Sequence, residues 1–280
     1  MRYLKYFAYF LLSLGLLLFI YLKATNSTLA DVGLTALSWV KSIEGDAVDL
    51  DALPQVERPA IDHQPWTDLV RQFVAEDGMV DYPGFLEESG SLQDYLDLLA
   101  DNPPGTNWTE EETLAYWINA YNAFTVKLII DHYPLESIKD ISGGGGIVAS
   151  PWDLKFFQIG GVDFDLGTIE HEIIRKDFSE PRIHFAINCA SISCPVLRRE
   201  AFEADRLDQQ LNDQARQFLQ DSSKNQVSAR ETKLSKIFSW FQSDFNRNVP
   251  LLTYLQQFAP DLDPNNSVTY LEYDWGLNED

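Results

Sequence analysis

Cysteine is scarce in this chain: Cys189 and Cys194 are the only two among 280 residues. Two thiols five positions apart exclude a zinc site built on paired cysteines, and their spacing is not the Cys-x-x-Cys of thioredoxin-type sites. Positive charge is also sparse, with 21 Lys+Arg against 43 Asp+Glu and a net charge of -22. Such a surface repels nucleic acid and anionic lipid, so neither is a partner of the body of the protein. Internal repeats are absent, and the one low-complexity tract is Gly143 to Gly146. No Lys-Ser/Thr follows these glycines, which excludes a phosphate loop and leaves a mobile connector or a lid over a cleft.

What is present begins with a membrane-directed segment. Arg2 and Lys5 precede an apolar run from Tyr6 to Leu22, interrupted by Ser13 and Gly15 and closed by Lys23. A charged flank with a run of that length reads as a signal anchor or a secretory signal, residues 1–23, and the weak cleavage site Leu22-Lys23-Ala24 favours the anchor. No cysteine follows, which excludes the bacterial lipoprotein route. The expected location is therefore periplasmic or otherwise extracytoplasmic, with membrane contact through the N-terminal helix only. Residues 24–62, with Pro54, Pro59 and scattered acids, read as a tether, with Thr35 to Val40 as a short helix, and residues 63–280 as one globular domain.

Within that domain the clearest element is a long helix. Thr109 and Glu112 form a capping box, and Leu114, Trp117, Ile118, Tyr121, Thr125, Leu128 and Ile129 recur on one face until Pro134. Asn119 and Asn122 border that stripe; each either holds a neighbouring backbone or, for Asn122, orients a catalytic imidazole. Trp66 to Val74 and Ser91 to Leu99 have helical spacing, and Met79 to Pro83 reads as extended. Leu154–Ile159 and Val162–Leu166 flank Gly160-Gly161 as a hairpin. Thr168 caps a helix carrying His171 and, one turn on, Arg175. Leu207 to Leu219, Ile237 to Phe245 and Pro250 to Phe258 are helical, and Val268 to Tyr273 is a late strand. The sum is an α+β domain, helices packed around a small, mainly antiparallel sheet of about four to six strands. Trp240, Phe241 and Trp275 are assigned to the core.

Chemistry concentrates around Cys189, which ends the alternating stretch Arg182 to Asn188 and precedes Ala190-Ser191-Ile192-Ser193-Cys194-Pro195. A strand that delivers a thiol to a small-residue loop presents a nucleophile, because loop amides remain free to bind an anion. In an oxidising compartment Cys189 and Cys194 could equally close a disulfide, or both could be inert buried thiols. Of the four histidines, His63 falls in the tether, His132 sits at a helix end, and alternation turns His184 away from Cys189 as an interior residue. His171 is left, by elimination, as the partner of Cys189. Metal ligation is not supported, because adjacent His-Glu positions cannot converge from one helix face. No cofactor is implied.

The strings Tyr116 to Ala123, Ile169 to Arg175, His184 to Pro195, Ile237 to Phe241 and Tyr273 to Asn278 resemble the DUF547 family, whose function is unassigned. The resemblance spans about Trp66 to Asn278 and maps the family's signature residues onto Asn122, Glu170, His171, Arg175, Cys189, Ser193, Cys194 and Pro195. That set is similar to thiol-hydrolase sites of the papain and transglutaminase type, with His before Cys as in circularly permuted members of that broad fold. It implies Cys189 as nucleophile, His171 as general base and later acid, and Asn122 or Glu170 fixing the ring. The Ala190 to Ser193 loop, with Ser191 and Ser193, would hold the substrate and its oxyanion, and Arg175 a substrate carboxylate. The expected activity is thiol-dependent hydrolysis or acyl transfer on a peptide or a small, glutathione-like thiol peptide. The competing classes are a non-catalytic peptide- or protein-binding module with a Cys189–Cys194 bridge, and a thiol redox sensor.

Overall fold

A computed structural model describes residues 48–142, 150–227 and 231–280. The N-terminal apolar run, the Thr35–Val40 helix and the Gly143–Gly146 tract lie outside the described residues. Among the described residues no helix is long and apolar enough to cross a membrane. Residues 48–62 are not a free tether: Val48, Leu50, Leu53 and Ile61 pack against the main core, and the Arg58 backbone is bonded to the Asn107 side chain at 2.9 Å.

Four helices build the first layer. α1 (Gln64–Phe73) starts at a proline and buries Trp66, Leu69, Val70 and Phe73, the spacing of a single helical stripe. α2 (Tyr82–Glu87) is capped by Asp81, whose side chain accepts from the Gly84 amide at 2.8 Å; Tyr82 and Pro83 thus open a helix instead of extending a strand. α3 (Ser89–Asp101) lies against α4 (Glu110–His132). The predicted capping box is in place: Thr109 Oγ1 accepts from the Glu112 amide at 3.1 Å, and Glu112 accepts from the Thr109 amide at 2.7 Å. α4 is buried on nearly every face from Leu114 to Ile130, so it is the axle of the domain and not a surface helix. Asn119 holds a neighbouring backbone, giving and receiving hydrogen bonds at 2.8 and 2.9 Å with Phe202.

The Gly160-Gly161 hairpin forms as expected, with β1 (Phe157–Ile159) antiparallel to β2 (Val162–Phe164). Both glycines have positive φ, +60° and +81°, which a two-residue turn of this kind requires. Next comes a π-helix, Thr168–Ile174, running on as α5 (Arg175–Asp177). Its entry is held by Asp165, which accepts from the Thr168 amide at 2.7 Å, a task expected of Thr168.

The alternating stretch before Cys189 is not a strand. Residues Pro181–Phe185 form a 3-10 helix whose Ile183, His184 and Phe185 are all buried. Pro181 presets the first turn, Glu180 accepts from the Arg182 amide at 3.0 Å, and burial on every side left no solvent face for alternation to report. α6 (Leu207–Gln220) covers this segment.

A second core gathers Phe185, Phe218, Phe238, Phe245 and Leu255 from α6, α7 (Ile237–Trp240), α8 (Gln242–Phe245) and α9 (Leu251–Leu255). Its sheet has β4 (Glu231–Leu234) between β3 (Gln226–Val227), antiparallel, and β5 (Ser267–Tyr270), parallel. The fold is α+β, but its described strands divide between two small sheets instead of forming one.

His63 provides a test of how tightly the first layer is closed. It is buried, its Nδ1 lies 2.7 Å from the Tyr95 hydroxyl, and burial lowers its pKa to about 4. The unfolded chain, with the ordinary value, binds the extra proton first, so stability falls as pH drops from about 6.5 towards 4 and rises again with pH. Over that window wild type should lose about 3 kcal/mol more than His63→Gln. Urea unfolding of both at a series of pH values measures it, and parallel curves would show that the site is open to water.

Candidate functional site

The thiol-bearing turn is fixed by amides. Asn122, in the middle of α4, donates to the Ala186 carbonyl at 2.9 Å and accepts from the Asn188 amide at 2.8 Å. Asn188 in turn donates to the Pro195 carbonyl at 2.7 Å and accepts from the Ala190 amide at 2.8 Å. Between them the chain reverses at Ala190, whose φ of +56° is the one positive value on a non-glycine residue among those described. That conformation costs an alanine about 1 kcal/mol, a strain that persists only where the surroundings over-determine it. Asn122 was expected to orient an imidazole. Both ends of its amide are committed to backbone, so it shapes the loop instead.

The turn places the Cys189 sulfur, on a half-buried residue, within reach of three protic groups. Cys194 Sγ lies at 2.9 Å, Ser191 Oγ at 3.2 Å and the Tyr273 hydroxyl at 3.3 Å. Ser191 Oγ also reaches the Tyr273 hydroxyl at 3.1 Å. Both cysteines are free thiols. Hydrogen bonding from Cys194, then from Ser191 and Tyr273, outweighs burial and holds the Cys189 thiol below the usual cysteine range. Burial pushes Cys194 well up, and burial with the neighbouring sulfurs does the same to Tyr273, so both remain donors. The thiolate is thus favoured by neutral donors, where a cationic neighbour was expected.

Two imidazoles share the cavity with this sulfur, but neither is among its hydrogen-bond partners. Arg175 lies with Nη1 3.3 Å from His171 Nδ1. A guanidinium can only donate, so Nδ1 is the acceptor and the neutral ring carries its proton on Nε2. His171 is therefore set as a donor, opposite to the general base expected of it. Glu170 is 3.9 Å from that Nδ1, beyond hydrogen-bond range, and accepts from the Tyr121 hydroxyl at 3.3 Å.

His184 has the complementary arrangement. Its Nε2 lies 2.8 Å from Asp244 Oδ2, and its ring stacks on Phe241 with centroids 4.0 Å apart. Despite its own burial, Asp244 is held well below the usual carboxylate range by His184 and Arg175. It is an acceptor only, so His184 bears its proton on Nε2 and presents a lone pair at Nδ1. Burial lowers the His184 pKa and keeps the ring neutral. The alternation that turned His184 away from Cys189 fails with the strand on which it rested.

Arg175 pairs with Asp244 through two bonds, Nε at 2.7 Å and Nη2 at 3.2 Å, and does not line the cavity. Its charge is spent inside the protein, so the reading of it as a substrate-carboxylate anchor does not hold. Ser193 likewise serves structure: its Oγ accepts from the Asp274 amide at 2.9 Å. Of the loop amides proposed for an oxyanion, Ala190, Ile192 and Ser193 donate to Asn188, Gly276 and Asp274 respectively.

The cavity itself holds about 380 Å³ and is walled by Tyr121, Trp152, Trp240, Phe241, Tyr273 and Trp275, with Cys189, Glu170, His171 and His184 among the remaining lining residues. It lies where the two cores meet, since Tyr121 and Ile187 belong to the first and Ile237 to the second. Trp240, Phe241 and Trp275 are half-buried wall residues, not core as expected. Sequence reasoning gave neither Asp244 nor Tyr273 a part in the site; the local signals were Asp244 standing beside Phe245 in an otherwise apolar helix face and Tyr273 opening one of the strings that carry the family resemblance.

Alkylation kinetics test this activation. Iodoacetamide should modify Cys189 faster than Cys194, and Tyr273→Phe or Ser191→Ala should move the rate profile to higher pH, slowing the reaction about three- to tenfold near pH 7. Mass spectrometry locates the adduct. An unchanged profile in Tyr273→Phe would remove the hydroxyl from the argument.

No curated protein and no solved structure matches this chain. Residues 105–219, which hold α4, the π-helix and the Cys189 turn, match the family model described as "Protein of unknown function, DUF547".

Proposed function

We propose that this chain is a thiol-dependent hydrolase or acyl transferase in which Cys189 attacks a carbonyl and His184, fixed by Asp244, handles the proton. One observation carries the reading: a sulfur with a favoured thiolate and a histidine with a carboxylate-fixed tautomer open into the same cavity. The Cys189 sulfur forms a bond to the acyl carbon, and the bond to the leaving amine or alkoxide breaks. His184 Nδ1 takes the thiol proton across the cavity and returns it to the leaving group. In the second half the same nitrogen takes a proton from water, whose oxygen displaces the sulfur and releases the acid, and the proton passes from His184 to the departing Cys189 sulfur. His171, with its Nε2 proton, supplies a hydrogen-bond donor for the carbonyl oxygen. The substrate is a peptide or small acyl compound, and the N-terminal apolar run is proposed to tie the domain to the outer side of a membrane.

A second reading follows from the sulfur pair alone. At 2.9 Å, Cys189 and Cys194 are set for exchange with a disulfide: Cys189 would displace one sulfur of the substrate, and Cys194 would displace the other, leaving two substrate thiols and a Cys189–Cys194 bridge.

p-Nitrophenyl acetate distinguishes the two. Acyl transfer predicts a burst of p-nitrophenolate, one acetyl group on Cys189 by intact mass, no reaction in Cys189→Ala, and turnover reduced about a hundredfold or more in His184→Ala with KM little changed. A wild-type protein that stays unacetylated, but oxidises to the bridged form with oxidised glutathione, gives the second reading in its place.

A further inference from the structure

The cavity is unusual in its charge. Among the described residues its lining holds one carboxylate, Glu170, and no lysine or arginine. Arg175, the nearest guanidinium by sequence, is bonded to Asp244 and stands outside the lining. The rest of the wall is largely aromatic, with the Trp240 and Trp275 rings stacked at 5.7 Å and Trp152 set edge-on to Trp275 at 5.8 Å. The Trp275 ring already carries an ammonium, since Lys139 Nζ lies 3.6 Å from its centroid. The faces of aromatic rings are negative and attract cations, and one acid among such rings repels anions.

We infer that this cavity takes a cationic ligand: an apolar or aromatic body bearing an amine or quaternary ammonium, set against the indoles with its charge towards Glu170. The inference rests on the reading above that this cavity is where the substrate sits, and it narrows that substrate to a cationic acyl compound, such as a peptide with a basic side chain beside the scissile bond. An anionic thiol peptide of the glutathione type finds no countercharge among the described lining residues, and the Lys139 ammonium is already engaged on the Trp275 ring. Glu170 is then a specificity residue, held in place by the donor chain Trp152 Nε1 to Tyr121 hydroxyl at 3.2 Å and Tyr121 hydroxyl to Glu170 at 3.3 Å.

The test is a binding measurement that needs no chemistry. In full-length Cys189→Ala, tryptophan fluorescence is titrated at physiological salt with benzyltrimethylammonium, benzyl alcohol and phenylacetate, three probes of similar body and different charge. Benzyltrimethylammonium should bind about tenfold or more tightly than phenylacetate, with benzyl alcohol between. Glu170→Gln should remove most of that preference, Trp240→Leu should weaken the cation, and Glu110→Gln, an exposed acid at the start of α4, should change nothing. Equal or tighter binding of phenylacetate overturns the inference. So does a preference that survives Glu170→Gln, which would trace it to the overall negative charge, and so does failure of all three probes to saturate. Because Cys189 is absent, a cation preference stands even if wild type is never acetylated, and an anion preference fails it even if acetylation occurs.

Discussion

The site depends on one buried amide. Asn122 is anchored on the most enclosed helix of the domain, and from there it grips the backbone on both sides of Ile187. Without that grip the carbonyl of Ala186 and the amide of Asn188 would be buried unpaired, each at a cost of about 1–3 kcal/mol. With it, the chain is forced into the left-handed turn at Ala190, and the turn aims the sulfur at Cys194, Ser191 and Tyr273. The placement of the Cys189 sulfur is thus inherited from α4, transmitted through Asn188.

A second constraint organises the two histidines of the cavity. Asp244 collects His184 and Arg175 on one carboxylate, and Phe241 lies against both, with the guanidinium carbon 4.8 Å from its ring centroid. Arg175 then reaches on to His171. One acid therefore fixes the same Nε2–H tautomer on two histidines through opposite ring nitrogens, directly at Nε2 of His184 and through the guanidinium at Nδ1 of His171. Since the pair is largely enclosed, its charges are balanced locally, and the cavity receives little net field from it.

Much of the fold was legible because it follows periodicity. The α4 capping box, the α1 stripe and the Gly160-Gly161 hairpin each carry a local signal that tertiary packing only reinforced. Cys189 and its neighbours Cys194 and Ser191 were legible for the same reason, being close in sequence. What failed was any inference that needed to know which face was buried. Arg182 to Asn188 looked alternating, yet α6 and the second core enclose that segment all round, so a 3-10 turn satisfies the same pattern. Arg175 looked available until Asp244, 69 residues away, was brought to it. Trp240 and Trp275 looked like core because aromatic size does not distinguish a filled interior from the wall of a cavity.

The Tyr273 hydroxyl comes from 84 residues beyond Cys189. During synthesis the sulfur therefore emerges before the last of its hydrogen-bond donors. Two of its three donors, Cys194 and Ser191, come from its own turn, and the third arrives only when the distal segment carrying Tyr273 and Trp275 docks beside the Ile192–Ser193 backbone, through bonds from their amides to the Gly276 and Asp274 carbonyls. The full set of donors around Cys189 is therefore a property of the closed fold, completed by the C-terminal segment.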